Sequence, residues 1–251
     1  GCVCGRVQWC EGGGEVRGLL PAYERPAGGC THPWDAAVPL QGVDAKTTIT
    51  PVTLAHSLSP EDRGRCEFYA LLARLYADGP DARLLKAISN AATMEGNTPF
   101  ATAWNRLVAA SGAMDAEAGA QEYTDLFIGV GKCEINLHGS HWISGFMMEK
   151  PLVELRADLV GVGLARRDDV VMLEDHLSAL CESMRLLIAG QDEREPAPIA
   201  AQHAFFERHI GPWVFDCCTA IRESTIANYY ARVAELTEQY MALDRDALAM
   251  E

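Results

Sequence analysis

The stretch SPEDRGRCEFYALLARLYADGP, residues 59–80, decides the fold class because it contains a complete helical signal. Ser59 is a suitable N-cap, Pro60 suits the first helical position, and acidic residues occupy the first turn. The apolar residues recur at i, i+3, i+4, i+7 and i+8, as Phe68, Leu71, Leu72, Leu75 and Tyr76. They form one apolar stripe, and Gly79-Pro80 ends the pattern. The stretch therefore predicts an amphipathic helix with one face in a hydrophobic core.

The same helical period recurs along the rest of the chain, and each recurrence predicts at least one further helix. The stretches are 81–93, 98–112, 115–129, 150–163, 170–188, 198–224 and a last one from about residue 226. Gly211-Pro212 breaks the sixth of them. After residue 58 we find no strand signal of comparable quality, no internal repeat and no strict heptad. We therefore predict that residues 59–251 form a globular all-α domain of about eight or more short helices.

Residues 1–58 have a different composition, which predicts an irregular, Cys/Gly-rich N-terminal extension. Glycine is dense, proline recurs, and no helical period is present. Four cysteines form a candidate metal site: Cys2, Cys4, Cys10 and Cys30. Soft thiolate ligands favour zinc or an iron–sulfur cluster, but a Cys-x-Cys pair without a Cys-x-x-Cys pair is a weak signal. The alternative is an extension whose cysteines bind no metal.

The formal charge of −14 is concentrated in the predicted helical domain. Residues 1–58 contain four basic and five acidic residues, whereas the remainder contains 17 basic and 30 acidic residues. An acidic body repels nucleic acid and anionic lipid and favours basic partners, because long-range steering follows net charge. The alternative is that the acidity only keeps the protein soluble.

The sequence also predicts a cytoplasmic protein without stable membrane insertion. No apolar run approaches the roughly 18 to 20 residues needed to span a bilayer. The first residues, Gly-Cys-Val-Cys, lack a basic region and an apolar region, so we expect no signal peptide. Cys66 and Cys181 lie within apolar helical patterns, which indicates reduced core thiols rather than a disulfide framework.

A first candidate site is the triplet Glu174-Asp175-His176, which leads into the helix predicted over 170–188. Asp175 is expected to cap this helix, since a carboxylate suits a helix N-terminus. His176, in the first turn, is expected to be neutral because the helix dipole disfavours imidazolium. Two interpretations stay open: a helix cap at the surface, or a hydrogen-bonding floor for a polar or cationic ligand.

A second candidate site lies in EYTDLFIGVGKCEINLHGSHWISGFM, residues 122–147. A helix ends at Gly129 and a long loop follows, and long ordered loops are often functional. The loop carries His138, Gly139, Ser140, His141 and Trp142. Cys133, His138 and His141 are possible zinc ligands, but their spacing is poor, so a binding loop is the favoured interpretation. The Gly-x-Gly here follows a helix and is not a nucleotide-binding fingerprint.

Four segments together resemble the TorD/DmsD/NarJ family of redox-enzyme maturation chaperones. They are EYTDLFIG, LHGSHW, LVELR and LEDHLSALCESMRLL, in that order within residues 62–243. The resemblance implies an all-helical, non-enzymatic chaperone of the cytoplasm that requires no cofactor. It implies binding to the twin-arginine leader of a molybdopterin-dependent oxidoreductase catalytic subunit, which is held until its cofactor is loaded. The chaperone is expected to be a monomer or a dimer that exchanges helices.

The resemblance also implies which residues bind the leader. They are Tyr69, Tyr123, Leu126, Phe127, His138, Gly139, Ser140, Trp142, Glu174, Asp175 and His176. Glu174 and Asp175 are expected to receive the two guanidinium groups, because carboxylates pair bidentately with arginine. The apolar stretch of the leader is expected to lie on the aromatic and leucine side chains. The chain departs from the family at Leu137, where proline is common, and at His138, where an aromatic residue is common.

Two rival functions stay open on the residues alone. One is a metal-dependent enzyme that uses Cys133, His138 and His141. The other is a metal-binding or electron-transfer protein built on the cysteines of the extension, with the helices as a scaffold. The chain contains no P-loop, no His-Glu-x-x-His motif and no nucleophile elbow, so the sequence indicates no enzyme class.

Overall fold

A computed structural model describes residues 58–129, 133–166, 170–190 and 195–250 of the chain. Within these ranges there are ten α-helices and one π-helical segment. The helices are α1 Pro60–Ala77, α2 Ala82–Ser89, α3 Pro99–Ala113, α4 Ala116–Tyr123, α5 Gly139–Ser144, α6 Lys150–Gly161, α7 Leu177–Ala189, α8 Ile199–His209, α9 Val214–Glu223 and α10 Tyr229–Met250. The π-helical segment, Thr124–Ile128, continues α4. The described part of the chain contains an isolated antiparallel bridge but no β-strand, so the all-α prediction is confirmed.

Helix α1 has the start and the buried face that its sequence predicts. The Ser59 hydroxyl accepts the backbone N–H of Asp62 at 3.0 Å and so caps the first turn. The five residues of the predicted stripe are all buried: Phe68, Leu71, Leu72, Leu75 and Tyr76. Cys66 and Cys181, which the sequence predicts to be core thiols, are buried and form no disulfide.

Helix α1 packs along α7, in the most extensive helix–helix contact of the described residues. Near one end of α7, the Ser178 hydroxyl donates to the carbonyl of Ala73 at 2.7 Å. Near its other end, the Cys66 thiol lies against the carbonyl of Arg185. These two contacts show that α1 and α7 are antiparallel. The start of α7, which carries the first candidate site, is thereby fixed on the core.

Helix α1 also contacts α10, the last of the described helices. The Tyr69 hydroxyl donates to Asp244 at 2.7 Å, and Arg65 donates to the same carboxylate at 2.6 Å. At one end of this contact, the hydroxyl groups of Tyr76 and Thr237 form a hydrogen bond of 3.0 Å. Helices α3 and α9 pack on α10 as well, and α2 packs on α3. None of the described helices combines the length and the apolar composition needed to cross a bilayer.

Helix α5 lies in the segment that the sequence predicts to be a loop. Its six residues are too few for an apolar period to be visible. Its first turn is held by a residue distant in sequence, because Gly139 and Ser140 both donate their backbone N–H to Asp175. The loop prediction is therefore wrong for Gly139–Ser144, and tertiary hydrogen bonds are the reason.

Glu122 of α4 caps α10 from a distant part of the chain. Its carboxylate accepts the backbone N–H groups of Asn228, Tyr229 and Tyr230 at 2.8 to 3.0 Å. Because these donors have no partner within the helix, we expect Glu122→Ala to lower the free energy of unfolding by about 2 kcal/mol in urea denaturation. Glu117→Ala, on the exposed face of the same helix, is the control, with an expected change below about 0.5 kcal/mol. Equal losses in the two variants would contradict the capping role.

Candidate functional site

The two candidate motifs meet in space, although they lie far apart in sequence. Leu177 donates its backbone N–H to the carbonyl of Leu137 at 2.8 Å, and Gly139 donates to the carbonyl of Asp175 at 2.9 Å. These two bonds form the isolated antiparallel bridge, which pairs residue 138 with residue 176. The segment 137–142 is therefore fastened to the start of α7, and the structure builds one site from the two motifs.

Asp175 is buried, with 3 % of its surface exposed, and it anchors the first turn of α5. Its Oδ2 atom accepts the backbone N–H of Ser140 at 2.9 Å, which suits a carboxylate at a helix N-terminus. Two further atoms of this pair, Asp175 Oδ1 and Ser140 Oγ, are buried without a hydrogen-bond partner. Because buried polar atoms are nearly always hydrogen-bonded, the site retains unused hydrogen-bonding capacity here.

His176, and not Asp175, caps α7, which corrects the predicted cap. The His176 Nδ1 atom accepts the backbone N–H of Ser178 at 3.2 Å, so this nitrogen carries no proton. Burial, followed by the neighbouring His138, lowers the pKa of His176 to about 3. His176 is therefore neutral at pH 7, as the sequence predicts, but the cause is burial and not the helix dipole.

His138 faces His176 and is held in one orientation. The two ring centroids are 4.9 Å apart and the rings are nearly perpendicular. The His138 Nδ1 atom donates to Asn136 Oδ1 at 2.9 Å, since that oxygen also accepts the backbone N–H of residue 138. Burial lowers the pKa of His138, against an opposing effect of Asp175. Trp142 is half-buried and donates its ring N–H to the carbonyl of Asn136 at 2.7 Å, so both aromatic groups are tied to the same asparagine.

Glu174 binds two arginines of the same chain. Arg156 donates to both carboxylate oxygens, at 3.1 and 2.9 Å, and Arg166 donates to one of them at 3.2 Å. The Glu174 side chain is 8 % exposed, whereas those of Arg156 and Arg166 are 46 % and 28 % exposed. Burial alone raises the pKa of Glu174, but hydrogen bonds from the guanidinium groups outweigh it and hold the pKa below its usual value. The cluster thus has a carboxylate inside and cationic groups outside.

Trp213 packs against the backbone at Gly139 and explains why this position is glycine. A Cβ atom placed on Gly139 would lie 2.8 Å from Trp213 Nε1, a distance too short for any real contact. The indole N–H donates to the carbonyl of His209 at 2.8 Å, which holds the ring in place. Trp213 follows the break between α8 and α9, so this break positions a wall of the site. No sequence motif marks Trp213 as a site residue.

The remaining residues implied by the family resemblance lie in the core. Tyr123 and Phe127 contact each other, with ring centroids 5.3 Å apart, and Leu126 is completely buried beside them. Tyr69 is separate from this cluster and belongs to the contact between α1 and α10. None of the four side chains is more than 8 % exposed, so each would reach a peptide only after a rearrangement of the core. Their role in leader binding stays a prediction.

The structure does not assemble the alternative metal site at Cys133, His138 and His141. Among the described residues, no three His, Cys, Asp or Glu side chains are placed to hold a metal ion. The cysteines of the predicted extension, Cys2, Cys4, Cys10 and Cys30, lie outside those residues. Zinc or an iron–sulfur cluster at these four cysteines therefore stays a prediction, as does the domain boundary at residue 58.

Comparison with known proteins gives one family. The family model described as nitrate reductase delta subunit matches residues 94–219, half of the chain. The match contains both segments of the site, the one around α5 and the one at the start of α7. Among curated proteins, no sequence matches the chain.

Proposed function

Because the chain belongs to the nitrate reductase delta subunit family of NarJ/TorD-type chaperones, we propose that it binds the twin-arginine leader of a molybdopterin-dependent oxidoreductase catalytic subunit. Membership implies a chaperone for molybdoenzyme maturation, and the family is not a catalytic one. In the proposal the chaperone acts in the cytoplasm, without catalysis of its own. It holds the subunit back from export and assists cofactor loading until assembly is complete.

The observation that carries the proposal is the double guanidinium pairing of Glu174 beside the α5 segment. A twin-arginine leader presents two adjacent guanidinium groups, and Glu174 already accepts two such groups from Arg156 and Arg166. Those two arginines lie on the solvent side of the carboxylate, so a leader can replace them without entering the core. Partly exposed ion pairs contribute about 0–1 kcal/mol each, so the exchange of one arginine for another costs little.

The charge of the chain supports the same partner. The formal charge is −14, whereas the arginine part of a leader is basic, so long-range attraction accelerates their encounter. Moderate affinity suits the role, because a chaperone must release its client. Charge pairs of small individual strength at a partly exposed site provide such an affinity.

Two substitutions with opposite effects test the pairing at Glu174. We expect Glu174→Gln to weaken binding of a synthetic twin-arginine peptide by roughly fivefold, because the acceptor of the guanidinium groups is lost. We expect Arg156→Gln to strengthen it by roughly threefold, because a competing internal arginine is removed. The measurement is fluorescence anisotropy with a labelled peptide, accompanied by circular dichroism to check that the helices are intact.

The matched control is Glu235→Gln. Glu235 also pairs with two arginines, Arg106 and Arg232, but it lies on α10. We expect no change in peptide affinity for this variant, since the control removes a similar ion-pair cluster away from the site. Unchanged affinity in both Glu174→Gln and Arg156→Gln, with intact helices, would contradict the proposed function.

A further inference from the structure

A strip of exposed apolar side chains follows α5 and continues along α6. Every residue from 143 to 150 is exposed, and half of these eight residues are large and apolar. We define the apolar strip as five residues that are 39 to 71 % exposed: Phe146, Met147, Met148, Val153 and Val160. Single exposed apolar residues are ordinary, but a group of neighbouring ones marks an interaction surface.

Met148 is held in the strip by a strained backbone. Its φ angle is +60°, and no other residue apart from glycine has a positive φ in the described part of the chain. A left-handed conformation is unfavourable for a residue with a Cβ atom, and such strain concentrates at functional sites. Methionine is also flexible and polarizable, which suits the binding of varied apolar sequences. The conformation of Met148 therefore lowers the folding stability of this turn, which is typical of a functional site.

Two residues of the strip, Val153 and Val160, lie beside the Glu174 cluster. On α6, Arg156 follows Val153 by three residues and precedes Val160 by four, so the three side chains are neighbours along one face of the helix. Arg156 is the residue that pairs with both carboxylate oxygens of Glu174. Val153 and Val160 are about 10 Å apart along the helix axis, and two turns of a bound peptide cover the same length. A ligand with arginines at Glu174 therefore has apolar surface within immediate reach.

We propose that the apolar stretch of the twin-arginine leader docks on the apolar strip, and not on Tyr123, Leu126 and Phe127. This inference rests on the proposed function and names the surface that its apolar half uses. The three residues implied by the family resemblance are buried, whereas the strip is open to solvent.

Charge selects the leader over a second copy of the chain as the occupant. The strip's own segment carries one acidic and one basic residue side by side, the exposed Glu149 and Lys150, so the net charge of the whole chain decides between the occupants. The whole chain has a formal charge of −14, so two copies repel each other at long range, whereas a basic leader is attracted. A segment that is basic at one end and apolar along its length matches both the Glu174 carboxylate and the apolar strip.

The test uses the full chain and two synthetic peptides, one with a twin-arginine and its apolar stretch, the other with that stretch replaced by Gly and Ser. We expect Phe146→Ser/Met148→Ser to weaken binding of the complete peptide by about tenfold and to leave binding of the second peptide unchanged. The matched control is Ile226→Ser/Leu243→Ser, which removes two exposed apolar residues elsewhere and is expected to change neither affinity.

Met148→Gly separates binding from folding. Glycine adopts a positive φ without strain, so this variant is expected to raise the unfolding temperature while it weakens binding of the complete peptide. Equal binding by wild type and Phe146→Ser/Met148→Ser would overturn the inference and leave the proposed function intact. A change of oligomeric state in size-exclusion chromatography without a change in affinity would assign the strip to self-association and also overturn it. A wild-type chain that binds neither peptide would overturn both.

Discussion

Gly139→Val is expected to lower the free energy of unfolding by about 3 kcal/mol, because the new side chain would occupy the space of the Trp213 ring. A Cβ atom at residue 139 lies 2.8 Å from Nε1 and 3.2 Å from Cε2 of Trp213. The ring is buried and its N–H is hydrogen-bonded to the carbonyl of His209, so it cannot turn away without losing that bond. Moving α5 instead would break the bonds from Gly139 and Ser140 to Asp175.

A double-mutant cycle shows whether the cost of Gly139→Val comes from this contact. Trp213→Phe replaces the indole by a smaller ring without an N–H edge, so the valine is expected to cost about 1 kcal/mol less in that background, or about one third of its effect. Gly64→Ala, where a Cβ atom meets nothing within 4 Å, is the control and is expected to stabilise α1 by about 0.5–1 kcal/mol. Chemical denaturation measures all four variants. If Gly139→Val lowers the free energy of unfolding equally in both backgrounds, the contact with Trp213 is not the cause of the loss.

His176→Asn is expected to remove a large part of the acid sensitivity of the protein. The pKa of His176 is lowered from an ordinary value of 6.5 to about 3 in the folded state. Below pH 6.5 the unfolded chain therefore binds a proton that the folded chain does not, so stability falls as the pH falls from 6.5 toward 3. Between pH 7 and pH 4 this single group contributes a loss of about 3 kcal/mol. Asparagine does not titrate, and its side-chain oxygen can still accept the N–H of Ser178.

The measurement is the free energy of unfolding of wild type and His176→Asn at pH 7 and pH 4. The variant is expected to lose about 3 kcal/mol less than wild type over this interval, whatever its stability at pH 7. His138, whose ring faces that of His176, is unchanged in the variant. Equal losses would show that residue 176 is accessible to protons in the folded state.

Much of the fold is predictable from local sequence. The stripe of α1, the Ser59 cap and the break at Gly211-Pro212 depend on residues within a few positions of each other, and all three are found as predicted. Helix α5 is different, because it is short and is held by Asp175 from 35 residues further along the chain. The sequence predicts Asp175 as the cap of α7 for the same reason, because it does not reveal that this carboxylate accepts the N–H of Ser140 in another helix.

The sequence predicts which segments form the candidate site, but it does not predict the contacts between their side chains. Segments 137–142 and 174–176, which the sequence indicates as two separate candidate sites, meet in the structure. Arg156 is the last residue of LVELR, one of the segments that carry the family resemblance. Nothing in the local sequence, however, indicates that Arg156 pairs with Glu174. Conversely, an apolar residue at helical spacing, such as Leu126, is equally suited to a core and to a groove, and only the packing decides between them.

The position of α1 between α7 and α10 determines when this protein can finish folding. The bond from Tyr69 to Asp244 joins residues 175 positions apart, and Asp244 lies in α10, which is synthesised after all the other described helices. Until α10 has emerged, one flank of α1 has no partner, and its tyrosines face water or other chains. A nascent chain stalled before Tyr229 would therefore need protection itself.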